Sequence, residues 1–358
     1  MSQPPSVQPV PSHLEGVDTR VANYPRTRFM GSKRKILPFI RDVVSTIPCD
    51  TVLDAFSGSG VVAYLFKALG KRVTTNDFMA YCYRMAAALV ANEGVTLSPS
   101  DVEGLLAPKD GALTFIRDTF RGMYFGDDEN ALLDRVSANI WALADETKRS
   151  LALAALCRAC LKKTPRGVFT VYGPRYDDGR RDLRISLEQH FREAVDAMNR
   201  AVFTSGKRHR AVLGDVTDLP ETGFDLVYLD PPYLTPHSDN DYIRRYHFVE
   251  GLATYWRGVE ILPVSRTKRI GYRPSPFGSR ATIHDAFRAV FARFRASTLL
   301  VSYSSNSIPA RDEMVDLLRE AGKRVDVYAC DHTYSFGTHA HRAGSNRNAV
   351  REYLFVGW

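Results

Sequence analysis

The chain has 358 residues, 44% of them hydrophobic and 25% charged, which is enough for a sizeable core and about two domains. That composition excludes a disordered chain, a collagen-like repeat and a small scaffold held together by disulfides. Lysine and arginine number 48 against 40 acidic residues, and the resulting net charge of +8 is only weak support for a polyanionic partner. The sequence shows neither a secretory signal nor a long apolar run, so we expect a cytoplasmic protein with no membrane contact.

The order of the predicted elements indicates an α/β fold. Residues 1–22 are rich in Pro, Ser, Gln and Val and are predicted to form a disordered tail. Short links between alternating strands and helices predict a parallel sheet with helical crossovers. The first half of this sheet is predicted from a helix at 33–47, a strand at 51–56, a helix at 61–70, a strand at 72–77 and a helix at 79–92.

From about residue 93 to 205 the pattern becomes mainly helical, and strand-like runs resume afterwards at 211–215, 225–230, 297–303, 324–330 and 351–358. We therefore predict a doubly wound, Rossmann-like α/β sheet built from residues 23–92 and 206–358. A mainly helical domain at 93–205 is inserted between the second and third strands. Cys157 and Cys160 have the spacing of a metal or redox motif, but they lie in one of its helices without a second pair, so we expect two buried cysteines.

The first chemical motif is the glycine-rich turn DAFSGSG at 54–60, where a strand ends and a helix begins. Glycines let the backbone approach a ligand closely, and the helix start offers free N–H groups. Asp77 ends the next strand, at the distance where an acidic side chain binds a ribose diol. The turn therefore predicts a nucleoside-bearing cofactor. Its spacing also matches a dinucleotide fingerprint, which leaves a nicotinamide-dependent dehydrogenase as an alternative.

The second motif is Asp230-Pro231-Pro232-Tyr233, directly after an apolar strand. Two prolines fix φ and remove two N–H donors, so the local backbone presents acceptors only. A simple rigid turn would contain the same prolines. This corner, however, can accept both hydrogens of an exocyclic amine while the tyrosine stacks on the base, a task that a dehydrogenase does not need.

Together these motifs make the chain similar to the Dam-like N6-adenine DNA methyltransferases of the alpha group, which use S-adenosylmethionine. The resemblance rests on four blocks in the family's order: RFMGSK at 28–33, DAFSGSG at 54–60, Asn76-Asp77, and DPPY at 230–233. The opening blocks resemble most the enzymes of type II restriction–modification systems, so a cognate restriction endonuclease is a candidate partner. The resemblance also implies that residues 242–256 and 301–305 line the target-base pocket.

The resemblance implies a role for each motif residue. It assigns cofactor binding to Phe29, Lys33, Asp54, Phe56, Gly58, Gly60, Asp77, Asp215, Val216 and Asp230. Phe29, where the family usually has Trp, covers the methionine moiety together with Lys33. Asp54 and Gly58 lie near the amino-acid end of the cofactor. Asp77 holds the ribose, and the turn at 215–216 borders the adenine.

The implied reaction is direct methyl transfer to a flipped-out adenine, with Asp230, Pro231, Pro232 and Tyr233 as the catalytic residues. The Asp230 carboxylate and the Pro231 carbonyl accept the two amine hydrogens and so align the nitrogen lone pair with the methyl carbon. Cytosine-C5 chemistry needs a Pro-Cys pair after the cofactor motif, whereas Pro48-Cys49 precedes it. Cytosine-N4 enzymes typically carry Ser where Asp230 stands.

The charge surplus is concentrated in the insert. Residues 158–210 contain thirteen Lys or Arg and six Asp or Glu, which accounts for +7 of the net charge. The loop 166–182 interleaves arginines with aromatics, as nucleic-acid-binding loops do, and residues 332–348 form a second polar, basic loop. Predicted DNA contacts are Lys162, Lys163, Arg166, Arg175, Arg180, Arg181, Arg342, Asn346 and Arg347.

The expected partner is therefore double-stranded DNA, in the nucleoid of a prokaryote or in a phage-infected cell. His332, His339 and His341 have no carboxylate or cysteine to complete a ligand set, and the reaction needs no metal. An RNA adenine methyltransferase with the same catalytic corner remains an alternative, as does a DNA-binding protein with an inactive methyltransferase fold.

Overall fold

The computed structural model describes residues 16–109, 111, 113–170, 180–235, 241–271, 274–333 and 349–358. Its strands are β1 Thr51–Asp54, β2 Arg72–Asp77, β3 Arg210–Leu213, β4 Leu226–Leu229, β5 Thr298–Ser304, β6 Val325–Thr333 and β7 Ala349–Gly357. They form one seven-stranded sheet in the order β3-β2-β1-β4-β5-β7-β6. Each strand lies where the sequence predicted one, with ends that differ by a few residues.

Helices surround the sheet and fill the insert. They are α1 Val17–Ala22, α2 Leu37–Val44, α3 Val61–Ala68, α4 Ala80–Ala86, α5 Pro99–Leu106, α6 Phe115–Thr119, α7 Asp127–Trp141, α8 Glu146–Lys163, α9 Arg181–Arg184, α10 Leu187–Ala201, α11 Tyr242–Thr254, α12 Ile283–Arg293 and α13 Arg311–Glu320. A π-helical turn, Ala87–Ala91, continues α4, and a 3₁₀ turn, Lys33–Ile36, precedes α2. None of the described helices combines the length and the apolar character that a membrane crossing requires.

The sheet is doubly wound, as predicted. Strands β3, β2, β1, β4 and β5 are parallel, whereas β7 runs antiparallel between β5 and β6. Successive residues of a strand face opposite sides of the sheet. Val52 accordingly belongs to one hydrophobic cluster and Leu53 to the other, and the same alternation separates Leu226 from Val227. Both faces are therefore buried under helices, and the carboxyl ends of the parallel strands share one edge.

The insert packs on the sheet's own helices. Helix α8 contacts α4, α10 and α11, and its residues from Ser150 to Leu161 are all buried. One continuous hydrophobic cluster includes both insert residues such as Leu153 and sheet residues such as Val52. Cys157 and Cys160 are fully buried in α8, as predicted, and burial raises the pKa of both thiols. The insert thus shares a core with the sheet.

The prediction of a disordered tail over residues 1–22 is wrong for its last six residues. Val17–Ala22 forms α1, whose Val17 is buried against the core. The Arg34 guanidinium donates to the carbonyl of Ala22 and to that of Tyr24, at 3.2 and 2.7 Å. One apolar contact and one arginine therefore fix a segment whose composition alone indicated disorder. Residues 1–15 lie outside the described part of the chain.

Candidate active site

A cavity of about 1290 Å³ opens at the carboxyl ends of β1, β2 and β4. Open α/β sheets bind their ligands at this edge, because the loops that follow the strands converge there. The cavity is lined by all four predicted catalytic residues and by the predicted cofactor residues Phe29, Lys33, Asp54, Phe56, Gly58, Asp77, Asp215, Val216 and Asp230. The structure therefore brings together motifs that are distant in the sequence.

The two motif glycines shape the turn between β1 and α3. Gly58 has a φ of 48°, and a Cβ added there would lie 3.1 Å from the Phe29 ring. Gly60 has a φ of 75° and caps α3; a Cβ there would lie 2.9 Å from the Tyr24 hydroxyl. Both conformations favour glycine. Gly60 is not among the described lining residues, so its place in the structure is to form the turn that presents Gly58.

Asp77 links the ends of β1 and β2. Its Oδ2 accepts a hydrogen bond from the Gly58 N–H at 2.8 Å, and its Oδ1 accepts one from the Met79 N–H at 2.9 Å. Burial raises the pKa of this carboxyl group to about 6, although both hydrogen bonds act in the opposite direction. The carboxylate therefore both orders the glycine turn and faces the cavity.

Asp54 is a buried carboxylate whose oxygens have no hydrogen-bond partner among the described residues. Burial raises its pKa well above the ordinary value, and the neighbouring Asp230 and Asp77 raise it further. The N–H groups of Phe56 and Ala63 act in the opposite direction without making hydrogen bonds of ordinary geometry. An uncompensated buried carboxylate beside a cavity is a site for a cationic ligand group.

We expect Asp54→Asn to stabilise the ligand-free protein at neutral pH. An Asp whose pKa is raised by folding destabilises the folded state once it ionises, so its contribution to stability falls as the pH rises from about 4 through the raised pKa. Since burial raises the pKa of Asp54 well above its ordinary value, we expect the gain in unfolding free energy to be larger at pH 8 than at pH 4. Thermal unfolding of both proteins from pH 4 to pH 8 should show a stability difference that grows with pH. A difference that is independent of pH would contradict the raised pKa.

Asp230 is paired with Lys33. The Lys33 Nζ lies 2.8 Å from Asp230 Oδ1, donates to the Gly31 carbonyl at 3.2 Å, and sits 4.5 Å above the centre of the Tyr233 ring. Burial raises the pKa of Asp230 to about 6; the Lys33 ammonium lowers it and Glu352 raises it. Since Lys33 and Asp230 are separated by 197 positions in the sequence, their pairing is a result of the fold. It keeps the carboxylate ionised at neutral pH.

Tyr233 is held by residues of β5 and β7; Ser302 and Tyr303 belong to the segment 301–305 that the resemblance assigned to the target-base pocket, whereas Glu352 was not predicted. Its hydroxyl donates to Glu352 Oε2 at 3.0 Å and lies 3.3 Å from the Ser302 hydroxyl oxygen. Its ring packs edge-on against Tyr303, with centroids 4.9 Å apart. Glu352 is buried and lines the cavity. Three neighbouring positions on β5 and β7 therefore fix the orientation of this tyrosine.

Phe29 belongs to an aromatic wall of the cavity. Its ring stacks on Tyr246 of α11 with centroids 5.0 Å apart and an angle of 8° between the planes, and Tyr242 lies 5.8 Å away. The Tyr246 hydroxyl accepts a hydrogen bond from the Met30 N–H at 2.7 Å. From the same helix, Glu250 accepts hydrogen bonds from the first two N–H groups of α4. Helix α11 thus holds the RFMGSK motif at 28–33 against the cavity.

Several predicted DNA-contacting residues form ion pairs within the insert. Lys162 lies 3.3 Å from Asp182, Lys163 lies 3.0 Å from Glu129, and Arg181 lies 2.6 Å from Glu193. Arg180 is within 4.0 Å of Asp182. Arg175, Arg342, Asn346, Arg347 and the side chain of Arg166 lie outside the described part of the chain. Acidic neighbours therefore neutralise part of the positive charge in the described residues of the insert.

The described residues hold no group of three or more His, Cys, Asp or Glu arranged to bind a metal ion. His332 lines the cavity, and burial lowers its pKa. His339 and His341 belong to the part of the chain that is not described.

Comparisons with known proteins agree with this geometry. The type II methyltransferase M2.HphI of Haemophilus parahaemolyticus is 29% identical over 352 residues, which cover 93% of this chain and 97% of that protein. The type II methyltransferase M.CviAII of Paramecium bursaria Chlorella virus 1 is 26% identical over 353 residues, covering 92% of this chain and 98% of that protein. The modification methylase LlaI of Lactococcus lactis subsp. lactis is 25% identical, but this chain spans only 52% of its length.

The family model of the D12 class N6 adenine-specific DNA methyltransferases matches residues 29–258, well over half of the chain. The matched range begins at Phe29 and contains both the glycine-rich turn and the DPPY corner. The resemblance predicted from the motifs is thereby confirmed. The chain belongs to the D12 class of N6 adenine-specific DNA methyltransferases.

Proposed function

We propose that the protein transfers the methyl group of S-adenosylmethionine to the N6 amine of an adenine flipped out of double-stranded DNA. The observation that carries this proposal is the placement of Asp230 and Tyr233 in the same cavity as the two buried carboxylates Asp54 and Asp77. A cavity of about 1290 Å³ exceeds the roughly 300–1000 Å³ of an ordinary small-molecule site. It therefore has room for a cofactor and a base together.

The residues present fit S-adenosylmethionine. Asp54 offers a buried carboxylate with both oxygens unsatisfied among the described residues, which suits the α-ammonium of the cofactor. Asp77 ends β2, where its carboxylate can accept hydrogen bonds from ribose hydroxyls. When bound, S-adenosylmethionine supplies a methyl group on a positively charged sulfur.

The chain's own groups perform the remaining work. Asp230 accepts hydrogen bonds from the target amine, together with the Pro231 carbonyl, and so localises the nitrogen lone pair towards the methyl carbon. The new N–C bond forms as the C–S bond breaks, and the proton that N6 loses passes to Asp230. Tyr233, held by Glu352 and Ser302, presents its ring to the face of the base. Lys33 keeps Asp230 ionised until the base arrives.

The test is incubation of the protein with radiolabelled S-adenosylmethionine and mixed-sequence duplex DNA, followed by nucleoside analysis. The expected product is N6-methyladenine in duplex DNA. Label in cytosine, or transfer to RNA with no transfer to duplex DNA, would contradict the proposal. Sequencing the modified positions in DNA from cells that express the chain identifies the recognition sequence.

The biological setting belongs to the same proposal. M2.HphI and M.CviAII are named as type II methyltransferases, which supports a role in a restriction–modification system with a cognate endonuclease. In such a system the protein works on the DNA of a prokaryotic or phage-infected cell. The five cysteines are all free, in keeping with a reducing compartment.

We also propose that residues 23–92 and 206–358 form the catalytic part and that residues 93–205 recognise DNA. The Phe169 N–H donates to the carbonyl of Arg245, a residue that lines the cavity. This hydrogen bond places the start of the basic loop beside the cavity, which supports a role of the insert in DNA recognition. Arg208 is different. It precedes β3 and therefore lies at the amino end of the sheet, away from the cavity.

Arg181→Ala and Arg208→Ala form a matched pair that tests this division. Both arginines are exposed, but only Arg181, at the start of α9, belongs to the segment 166–182. Its ion pair with Glu193 lies at the surface, so the guanidinium can exchange it for a phosphate. We expect Arg181→Ala to reduce the slope of log binding constant against log salt concentration by about 1, and Arg208→Ala to leave it unchanged. Equal effects would contradict the assignment of the DNA-facing side.

A further inference from the structure

Residues 260–271 form a β-hairpin between α11 and the segment that returns to the cavity. Ile261 and Ile270 make an antiparallel bridge, and the Leu262 N–H donates to the Arg269 carbonyl at 2.9 Å. The turn is closed by the Ser265 N–H, which donates to the Leu262 carbonyl at 3.1 Å. The turn at the tip therefore has a defined conformation.

The tip of the hairpin presents an apolar side chain to solvent. Val264 is 94% exposed, whereas the other exposed large hydrophobic residues of the described chain are between 36% and 49% exposed. A single exposed valine is common on protein surfaces and by itself indicates nothing. Here it stands on an ordered turn, so its exposure is fixed by the fold.

The hairpin is basic. Residues 260–271 contain Arg266, Lys268 and Arg269 and one acidic residue, Glu260, whose carbonyl accepts from the Gly271 N–H at the base of the hairpin. None of these three side chains forms an ion pair with the described part of the chain, whereas several basic residues of the insert do. An apolar tip followed by three cations suits a polyanion with an apolar interior, which is the character of a DNA duplex.

The hairpin is anchored beside the cavity. The buried Tyr124 hydroxyl donates to the Thr267 carbonyl at 2.8 Å and lies 3.2 Å from His247 Nε2 on α11. Arg245, two residues before His247, lines the cavity, and so does Pro274, three residues after the hairpin ends. Tyr124 thus links the hairpin to the middle of α11, whose first turn lines the cavity, and the chain lines the cavity again at Pro274.

We propose that this hairpin enters the DNA beside the target adenine, with Val264 filling the space that the flipped base leaves. Arg266, Lys268 and Arg269 then contact the flanking phosphates. This inference rests on the proposed function, since it names the element that opens the duplex for that site. An apolar side chain wedged into the base stack stabilises the opened state, and the phosphate contacts hold the duplex while the base leaves it.

The experiment measures kcat/KM on two duplexes that carry the recognition sequence found by sequencing. In one the target adenine is paired with thymine, and in the other it faces an abasic site, so that little opening is needed. We expect Val264→Ser to lower kcat/KM about tenfold on the paired duplex, equivalent to about 1.4 kcal/mol, and less than threefold on the abasic duplex. Val264→Leu, which keeps an apolar wedge, should retain most of the activity on both.

Leu213→Ser is the matched control, because Leu213 is also an exposed apolar residue, 49% exposed on the edge strand β3. It should change neither rate. Unchanged rates for Val264→Ser, or an equal loss on both duplexes at unchanged thermal stability, would overturn the wedge. If the wild-type protein fails to methylate adenine on either duplex, the proposed function itself is wrong, and the two failures are thereby distinguished.

Discussion

Asp230→Ala is expected to lower kcat for adenine methylation by about 10²–10⁴-fold. Asp230 is the charged acceptor at the DPPY corner, and its ion pair with Lys33 at 2.8 Å keeps it ionised although burial raises its pKa to about 6. Without the carboxylate, the amine lone pair stays delocalised in the adenine ring and the departing proton has no acceptor. The loss should therefore appear in single-turnover methyl transfer, with both substrates saturating.

Asp230→Asn removes the negative charge of the side chain but keeps its size and one acceptor oxygen. The amide keeps one acceptor oxygen but cannot attract Lys33 or take a proton, so we expect an activity between those of the wild type and of Asp230→Ala. The wild-type rate should fall as the pH drops below about 6, because protonation removes the acceptor. Asp218→Ala, which removes an exposed carboxylate from the 3₁₀ turn after β3, is the control and should be fully active. Methyl transfer by Asp230→Ala at the wild-type rate would refute the mechanism.

The sequence predicts that the motif residues meet at one edge of the sheet, but it does not predict the residues that hold them in place. Asp54, Asp77 and Asp230 each end a strand or directly follow one, and parallel strands end at one edge of a sheet. Glu352 has no such signal. It lies 119 positions from Tyr233 and reaches it only because β7 inserts antiparallel beside β5. A strand order of this kind depends on tertiary packing, which local sequence patterns do not encode.

A count of Lys and Arg in the sequence also gives an incomplete prediction of the DNA-binding surface. The surplus between residues 158 and 210 is real, yet Lys162, Lys163 and Arg181 each have an acidic neighbour inside the insert. The sum also includes Arg208, which lies at the amino end of the sheet. Periodicity shows which residues are exposed, but not which exposed charges face each other across two helices. The hairpin at 260–271 is the opposite case, because its three cations are too few to stand out in a count.

Asp77→Ala is expected to weaken the binding of S-adenosylmethionine by about 10²-fold or more. Besides losing the ribose acceptor, the variant leaves the N–H groups of Gly58 and Met79 without their hydrogen bonds. Each buried N–H that loses its partner costs about 1–3 kcal/mol, and the Gly58 turn loses the contact that orders it. Isothermal titration with S-adenosylhomocysteine measures the loss directly, without turnover.

Asp225→Ala is a closely matched control. Asp225 also accepts hydrogen bonds from two backbone N–H groups, those of Asp50 and Thr51 at 2.9 and 2.8 Å, but at the amino end of β1, opposite the cavity. It should lower thermal stability while leaving cofactor affinity intact, whereas Asp77→Ala should lower both. If the two variants bind the cofactor equally well, Asp77 is only a structural residue and the ribose must be held elsewhere. If only Asp77→Ala loses affinity, the carboxylate that orders the glycine turn also recognises the cofactor, and the turn and the site are coupled through one side chain.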